Sequence, residues 1–149
     1  MIVTTGQLPE YRGTVAMVDG GFDPLHGGHV AYFRAAAALG VPVLCNLASD
    51  AYVARKHPPF LPQDERAELI DAMRWVDLVH LSTSSTVEVL ALLEPRYYAK
   101  GADWEGKLPS EEARLCAERG IEVVYLDTVL NSSTTILERY AHGESGTSG

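Results

Sequence analysis

Cysteine is nearly absent from this 149-residue chain: Cys45 and Cys116 are the two there are. Both sit in apolar contexts without metal-ligand spacing, so they point to core thiols in a reducing compartment rather than to a disulfide. No apolar run is long enough to span a membrane and no signal-peptide pattern is present, which leads to the expectation of a soluble, cytoplasmic protein with no membrane partner. Cations are scarce as well. Twelve Lys and Arg against 20 Asp and Glu give a formal net charge of −8. That balance argues against a nucleic-acid partner, and any phosphate site must gather a few cations locally. The G-x-G-x-x-G turn of a redox dinucleotide enzyme is missing, as is any internal repeat. What remains is one domain's length with 46% hydrophobic residues, enough to bury a core.

Apolar runs alternate with helical patterns along the chain. Residues 1–12 show no clear period and read as an irregular lead-in. Strands are expected at about Thr14–Val18, Val41–Leu47, Leu78–Leu81, Arg96–Lys100 and Ile121–Leu126. Helices are expected at Ala31–Leu39, at Asp50–Arg55 capped by Ser49, and from Pro62 to Trp75. Three more run from Ser85 to Glu94, from Pro109 to Gly120, and from Ser132 to near Tyr140. Leu69, Met73 and Val76, with Ile70 beside them, are expected to form the inner face of the helix after Pro62. Cys45, Tyr97 and Tyr98 read as strand core. The alternation predicts an α/β fold, a single Rossmann-like doubly wound domain on a parallel sheet. The domain is expected to span residues 1–141, with 142–149 as a small, polar, disordered tail.

The densest stretch is Asp19-Gly20-Gly21-Phe22-Asp23-Pro24-Leu25-His26-Gly27-Gly28-His29, between the first strand and the first helix. The glycines allow a sharp turn and close approach of a ligand. A helix start offers unpaired N–H groups to an anion. His26 and His29, three apart, can act as paired donors toward one site.

Phe22-Asp23-x-Leu25-His26-x-Gly28-His29 resembles the H-x-G-H signature of the cytidylyltransferase-like nucleotidyltransferases. The resemblance runs from about Val15 to Leu137 and implies a five-stranded parallel sheet of order 3-2-1-4-5. It also implies transfer of a nucleoside monophosphate from a nucleoside triphosphate to a phosphorylated small molecule, with Mg²⁺ carried in on the triphosphate. In that reading His26, His29 and Lys56 are the catalytic residues. The nucleotide is met by Gly20, Gly21, Phe22, Asp23 and Gly28. Beyond strand four it meets Lys100, Gly101, Asp103 and Trp104, and at the last helix Ser132, Ser133, Thr134 and Thr135. Asp50, Arg55 and Arg66 fall on the acceptor side. No dedicated metal-ligand cluster is visible.

Several roles stay open at this level. Asp23 fixes the turn or touches ligand, and Lys56 reaches phosphate or lies in a solvated basic loop. Arg66 binds the acceptor's phosphate or pairs with a helix carboxylate such as Glu65. Trp104 stacks on a base or sugar or anchors its loop. Four hydroxyls in a row at 132–135 exceed what a helix cap needs and favour phosphate. Gly101 to Lys107 looks like the loop of glycerol-3-phosphate cytidylyltransferases, but the R-T-E-G-I-S-T segment of those enzymes is replaced here by Thr128 to Thr134. Lys100-Gly101-x-Asp103 and Ser133-Thr134-Thr135 look more like heptose-phosphate adenylyltransferases, which places ATP ahead of CTP. Trp75-Val76-Asp77 resembles a segment near the family's dimer interface. A nucleotide-binding regulatory module without turnover is the alternative of a different class.

Overall fold

The computed structural model describes residues 1–127. The serine–threonine segment 132–135, the last expected helix and the tail lie outside these described residues.

Six parallel strands form one sheet: β1 (Ile2–Val3), β2 (Ala16–Gly20), β3 (Val43–Leu47), β4 (Leu78–Leu81), β5 (Tyr97–Gly101) and β6 (Glu122–Leu126). Their order is β1-β4-β3-β2-β5-β6. The five expected strands hold the expected order, and β1 adds an edge beside β4. The lead-in is therefore not irregular. Ile2 and Val3 pair with Val79 and His80, and a 3-10 turn over Thr5–Tyr11 follows. A two-residue strand carries too little period to be read from sequence. Buried Val3 and Leu8 hold it by closing the core beneath them.

Alternation along the strands sorts side chains onto two faces. Val18, Cys45 and Ala99 face α1 (Gly27–Ala37) and α3 (Gln63–Asp71), where Phe33, Ala36, Ala67 and Ile70 meet them. Met17, Leu44 and Tyr98 face α4 (Thr86–Leu93) and α5 (Ser110–Arg119), where Val89, Leu90, Leu93 and Cys116 close the second layer. All five residues of β3 are buried, as a parallel strand covered on both faces requires. The fifth helix of this part, α2, is a single turn over Asp50–Val53, and the Ser49 hydroxyl caps it by accepting the Tyr52 N–H.

Helix α3 departs from expectation in phase and length. Its inner face is Arg66, Ala67 and Ile70, while Leu69 is about half exposed at 49%. The buried guanidinium of Arg66 sets this phase. Strand β2 pairs with both β3 and β5, so the chain reverses its direction of growth between β2 and β5. A crevice opens beyond the carboxyl ends of strands at such a point.

Candidate active site

Helix α1 starts earlier than its apolar pattern suggests because two histidines cap it. The Nδ1 of His26 accepts the Gly28 N–H at 3.1 Å, and the Nδ1 of His29 accepts the His26 N–H at 3.3 Å. A ring whose Nδ1 accepts carries its proton on Nε2; the Nε2 of His26 is buried, whereas His29 lines the cleft. The rings stack, with centroids 3.7 Å apart and planes 28° from parallel. His29 also meets the ring of Phe22 edge-on at 5.0 Å. Burial, and second the neighbouring His26, lower the His29 pKa to about 3. At neutral pH His29 is therefore an uncharged donor, and the site's positive charge comes from elsewhere.

The turn before α1 is tightly built. Phe22 adopts a left-handed φ of 51° and is buried against α1. Gly21 is required by space: a Cβ there would stand 2.9 Å from Val53. Asp23 is 3% exposed, and its Oδ2 accepts the Phe60 N–H at 2.7 Å. That bond ties the histidine turn to the end of the basic loop, so Asp23 positions the loop that carries Lys56.

A cleft of about 550 Å³ opens over the carboxyl ends of the strands. Of the expected residues, Gly20, Gly21, Phe22, Asp23, His29, Arg55, Lys56, Lys100, Gly101 and Trp104 line it. His26 lies against His29, outside the lining. Gly28 belongs to the cap. Asp103 sits exposed on a 3-10 turn and does not line the cleft. Lys56 is exposed and has no ion-pair partner among the described residues, whereas Arg55 lies over the Tyr52 ring at 5.2 Å.

Two expectations need correction. Arg66 is buried and does not line the cleft, and the helix carboxylate it pairs with is Asp50 of α2 rather than Glu65. Its side chain is 1% exposed, with Nε donating to Leu61 O and Nη1 to Gly21 O and Ala48 O. Its Nη2 donates to Asp50 Oδ1 at 2.6 Å. Arg66 thus ties three loops together and holds Asp50 with them, so both residues shape the cleft wall from behind. Tyr98 is more than strand core, because its hydroxyl reaches the cleft.

On the remaining wall sequence reasoning named Lys100 and Trp104 but passed over Asp19, Thr86 and Glu112 beside them. Met17 pairs with Tyr98 across β2 and β5, so Asp19 and Lys100, two residues on, point to the same face. Lys100 Nζ donates to Asp19 Oδ1 at 3.1 Å and lies 4.2 Å from the Trp104 ring centroid. Lys100 is therefore already neutralised, unlike Lys56. Asp19 Oδ2 also accepts from Thr86 Oγ1 at 3.3 Å. Tyr98 Oη lies 3.2 Å from Asp19 Oδ2 and 2.7 Å from Glu112 Oε1. Burial, then Asp19 and Glu112, push the Tyr98 phenol far above its ordinary pKa. A carboxylate ending the strand just before Gly20-Gly21 was the available signal for Asp19. Glu112 gave none, since only the fold brings α5 beside it.

Lys56→Ala is expected to leave the melting temperature within about 1–2 °C of the parent, because an exposed unpaired lysine contributes under about 0.5 kcal/mol. Turnover should fall roughly tenfold or more if Lys56 neutralises phosphate in the transition state. Steady-state rates and a melting curve on one preparation check this, and a collapsed melting temperature with unchanged specific activity would make Lys56 structural.

Residues 17–139 match the cytidylyltransferase-like family. The chain is similar to the bifunctional protein HldE of Trichlorobacter lovleyi, 37% identical over 137 residues that cover 85% of this chain and 27% of that protein. It is 39% identical to the bifunctional protein HldE of Streptomyces coelicolor over 140 residues, 89% of this chain and 29% of that one. It spans under a third of the length of these curated relatives. Among solved structures, a lipopolysaccharide core biosynthesis protein from Thermoplasma volcanium superposes with a TM-score of 0.65 at 23% identity, over 78% of this chain and 98% of that one. Pantothenate synthetase from Thermus thermophilus superposes with a TM-score of 0.56 at 18% identity, over 87% of this chain and 62% of that one. These two likenesses concern the fold.

Proposed function

Since the chain belongs to the cytidylyltransferase-like family, we propose that it transfers a nucleoside monophosphate, with ATP as donor ahead of CTP, to a phosphorylated sugar or polyol, releasing pyrophosphate. The observation that carries this reading is the capped histidine pair at the start of α1, with His29 on the same cleft as the Arg55-Lys56-His57 rim. A helix start and donor side chains receive phosphate oxygens, and Lys56, without an ion-pair partner among the described residues, lines the same cleft.

The chemistry needs no strong base. The second pKa of a phosphomonoester is about 6, so the acceptor's phosphate is largely a dianion at neutral pH. One of its oxygens attacks the α-phosphorus. The new P–O bond forms, the bond to the bridging α–β oxygen breaks, and pyrophosphate takes the electron pair. The enzyme's work is to bring two anions together and stabilise the charge on the α-phosphoryl oxygens. His29, with His26 stacked against it, donates from Nε2 and does not titrate away near neutrality. Lys56 adds charge from the loop that Asp23 holds.

Mg²⁺ enters this reading as part of the substrate. Among the described residues no group of three or more His, Cys, Asp or Glu is placed to hold a metal ion. Mg²⁺ is usually bound largely through substrate phosphates and retained waters. Excess chelator is expected to abolish at least about nine-tenths of turnover, with recovery when Mg²⁺ is restored above the chelator. Full activity in chelator would remove the ion from the reading.

The deciding experiment is pyrophosphate release with ATP, CTP, GTP and UTP against a panel of phosphorylated sugars and polyols. Acceptor-dependent release with ATP and a sugar phosphate is expected. Nucleotide binding without acceptor-dependent release would support a regulatory module instead.

A further inference from the structure

The two walls of the cleft differ in chemistry. On the β3–α1 side stand His29, Arg55, Lys56 and His57. On the α4–α5 side stand Asp19, Thr83, Ser84, Thr86, Tyr98 and Glu112. Lys100 is the cation of that second wall, and Asp19 already neutralises it.

Among the described residues the second wall is short of hydrogen-bond donors. One phenolic proton on Tyr98 serves two carboxylates, Asp19 and Glu112. The second oxygen of Glu112 has no partner among the described residues. Asp19 receives Lys100 and Thr86 but shares the Tyr98 proton. Buried or half-buried carboxylate oxygens in this state gain from ligand donors and lose from ligand anions. Burial raises the Glu112 pKa in keeping with this, the next influence being the opposing Tyr98 hydrogen bond. Thr83 and Ser84 are exposed above them and can accept or donate.

We propose that the wall formed by Asp19, Thr86, Tyr98 and Glu112 selects the acceptor, reading hydroxyl groups on a neutral remainder and rejecting any acceptor with a second anionic group. This rests on the transferase reading for the location of the acceptor's phosphate, which the cationic wall takes. A hydroxyl donates to the second oxygen of Glu112, to Asp19 or to the lone pairs of Thr86 Oγ1, so a polyol completes the network while Thr86 and Tyr98 keep their protons on the carboxylates. A carboxylate or second phosphate in its place meets Glu112 and Asp19, where the cation of this wall among the described residues, Lys100, is already paired with Asp19.

Three probes of one size separate the terms: glycerol 3-phosphate, n-propyl phosphate and 3-phosphoglycerate. Mannose 1-phosphate and cyclohexyl phosphate form a second, ring-sized pair. Binding to the full chain is measured by calorimetry without nucleotide, so the result does not depend on turnover. In the parent, the hydroxylated member of at least one pair is expected to bind tenfold or more tighter than its hydroxyl-free partner, and 3-phosphoglycerate weakest of its set. Thr86→Val should lose most of the hydroxyl preference while propyl phosphate stays within twofold. Glu112→Gln should improve 3-phosphoglycerate tenfold or more relative to glycerol 3-phosphate. Melting curves confirm that both near-isosteric variants are folded. The proposal is overturned by absence of hydroxyl preference in both pairs, by 3-phosphoglycerate binding as well as glycerol 3-phosphate, or by variants that weaken all probes equally. Failure of the transferase reading shows separately, as absence of acceptor-dependent pyrophosphate release beside intact hydroxyl selection.

Discussion

Replacing His29 by alanine is expected to lower turnover roughly a hundredfold or more, the cost of removing one donor aimed at developing negative charge. The fold should survive. His29 contributes one cap to the His26 N–H, its stacking on the His26 ring and one edge-on contact with Phe22. Losing a cap costs about 1 kcal/mol. His29→Asn keeps a donor and an acceptor and should recover part of the rate. A second readout comes from pH. In the folded chain His29 stays unprotonated down to about pH 3. In the unfolded chain it takes up a proton near pH 6.5. Its contribution to stability is thus fully present above pH 6.5 and is lost progressively as pH falls from there toward 3. The parent's melting temperature should decline across that window, and less steeply in His29→Ala. A variant with parental turnover would remove His29 from the chemistry. A pH dependence unchanged by the substitution would remove the buried, uncharged imidazole.

Arg66→Ala is expected to produce the largest loss of stability of any single change around the cleft. The side chain is almost wholly buried and makes four donations, to Leu61 O, Gly21 O, Ala48 O and Asp50. Truncation leaves three carbonyls without their donor and opens a cavity where the guanidinium lay. Since Asp50 is half exposed, the cost comes from the three unsatisfied carbonyls and the cavity, together about 3–5 kcal/mol. For a chain of this size that corresponds to a fall of about 10 °C or more in melting temperature. Arg66→Lys should not rescue it, because a point ammonium cannot span carbonyls that the planar fork reaches in three directions. The expected signature is a low melting temperature in both variants and a weakened nucleotide site, since the Gly21 carbonyl belongs to the histidine turn. If Arg66→Lys melts with the parent and only raises the KM for the acceptor, Arg66 is a ligand after all.

Hydrophobic period and turn chemistry were enough to read much of the fold. β4 spans Leu78–Leu81 as expected, and Ser49 and Ser85 cap their helices through their hydroxyls. Boundaries moved where a side chain outranked periodicity. Helix α1 begins at Gly27 rather than Ala31 because His26 and His29 satisfy its first N–H groups. Strand β1 escaped notice because two residues have no measurable period. Its stability lies in pairing with β4 and in the burial of Val3 and Leu8, both of which are non-local.

The sequence by itself determined the α/β class and the histidine turn, because these rest on local pattern and on a contiguous motif, while the central strand order followed from the family resemblance that the motif carries. It also placed Lys56 in a proline-bounded loop, where the structure finds it exposed on the cleft. Tertiary structure alone decided which of the polar residues pair with one another around the cleft. Arg66 and Asp50 are 16 positions apart and lock together behind the wall, while Asp19, Lys100 and Glu112 meet only because β2, β5 and α5 converge. Local pattern marks Lys100 and hints at Asp19, but nothing local marks Glu112 or the roles of Arg66 and Asp50. A charged side chain looks the same in sequence whether it faces solvent, ties three loops or awaits a ligand. What separates those roles is burial and the number of donors within reach, and the packing of distant segments sets both.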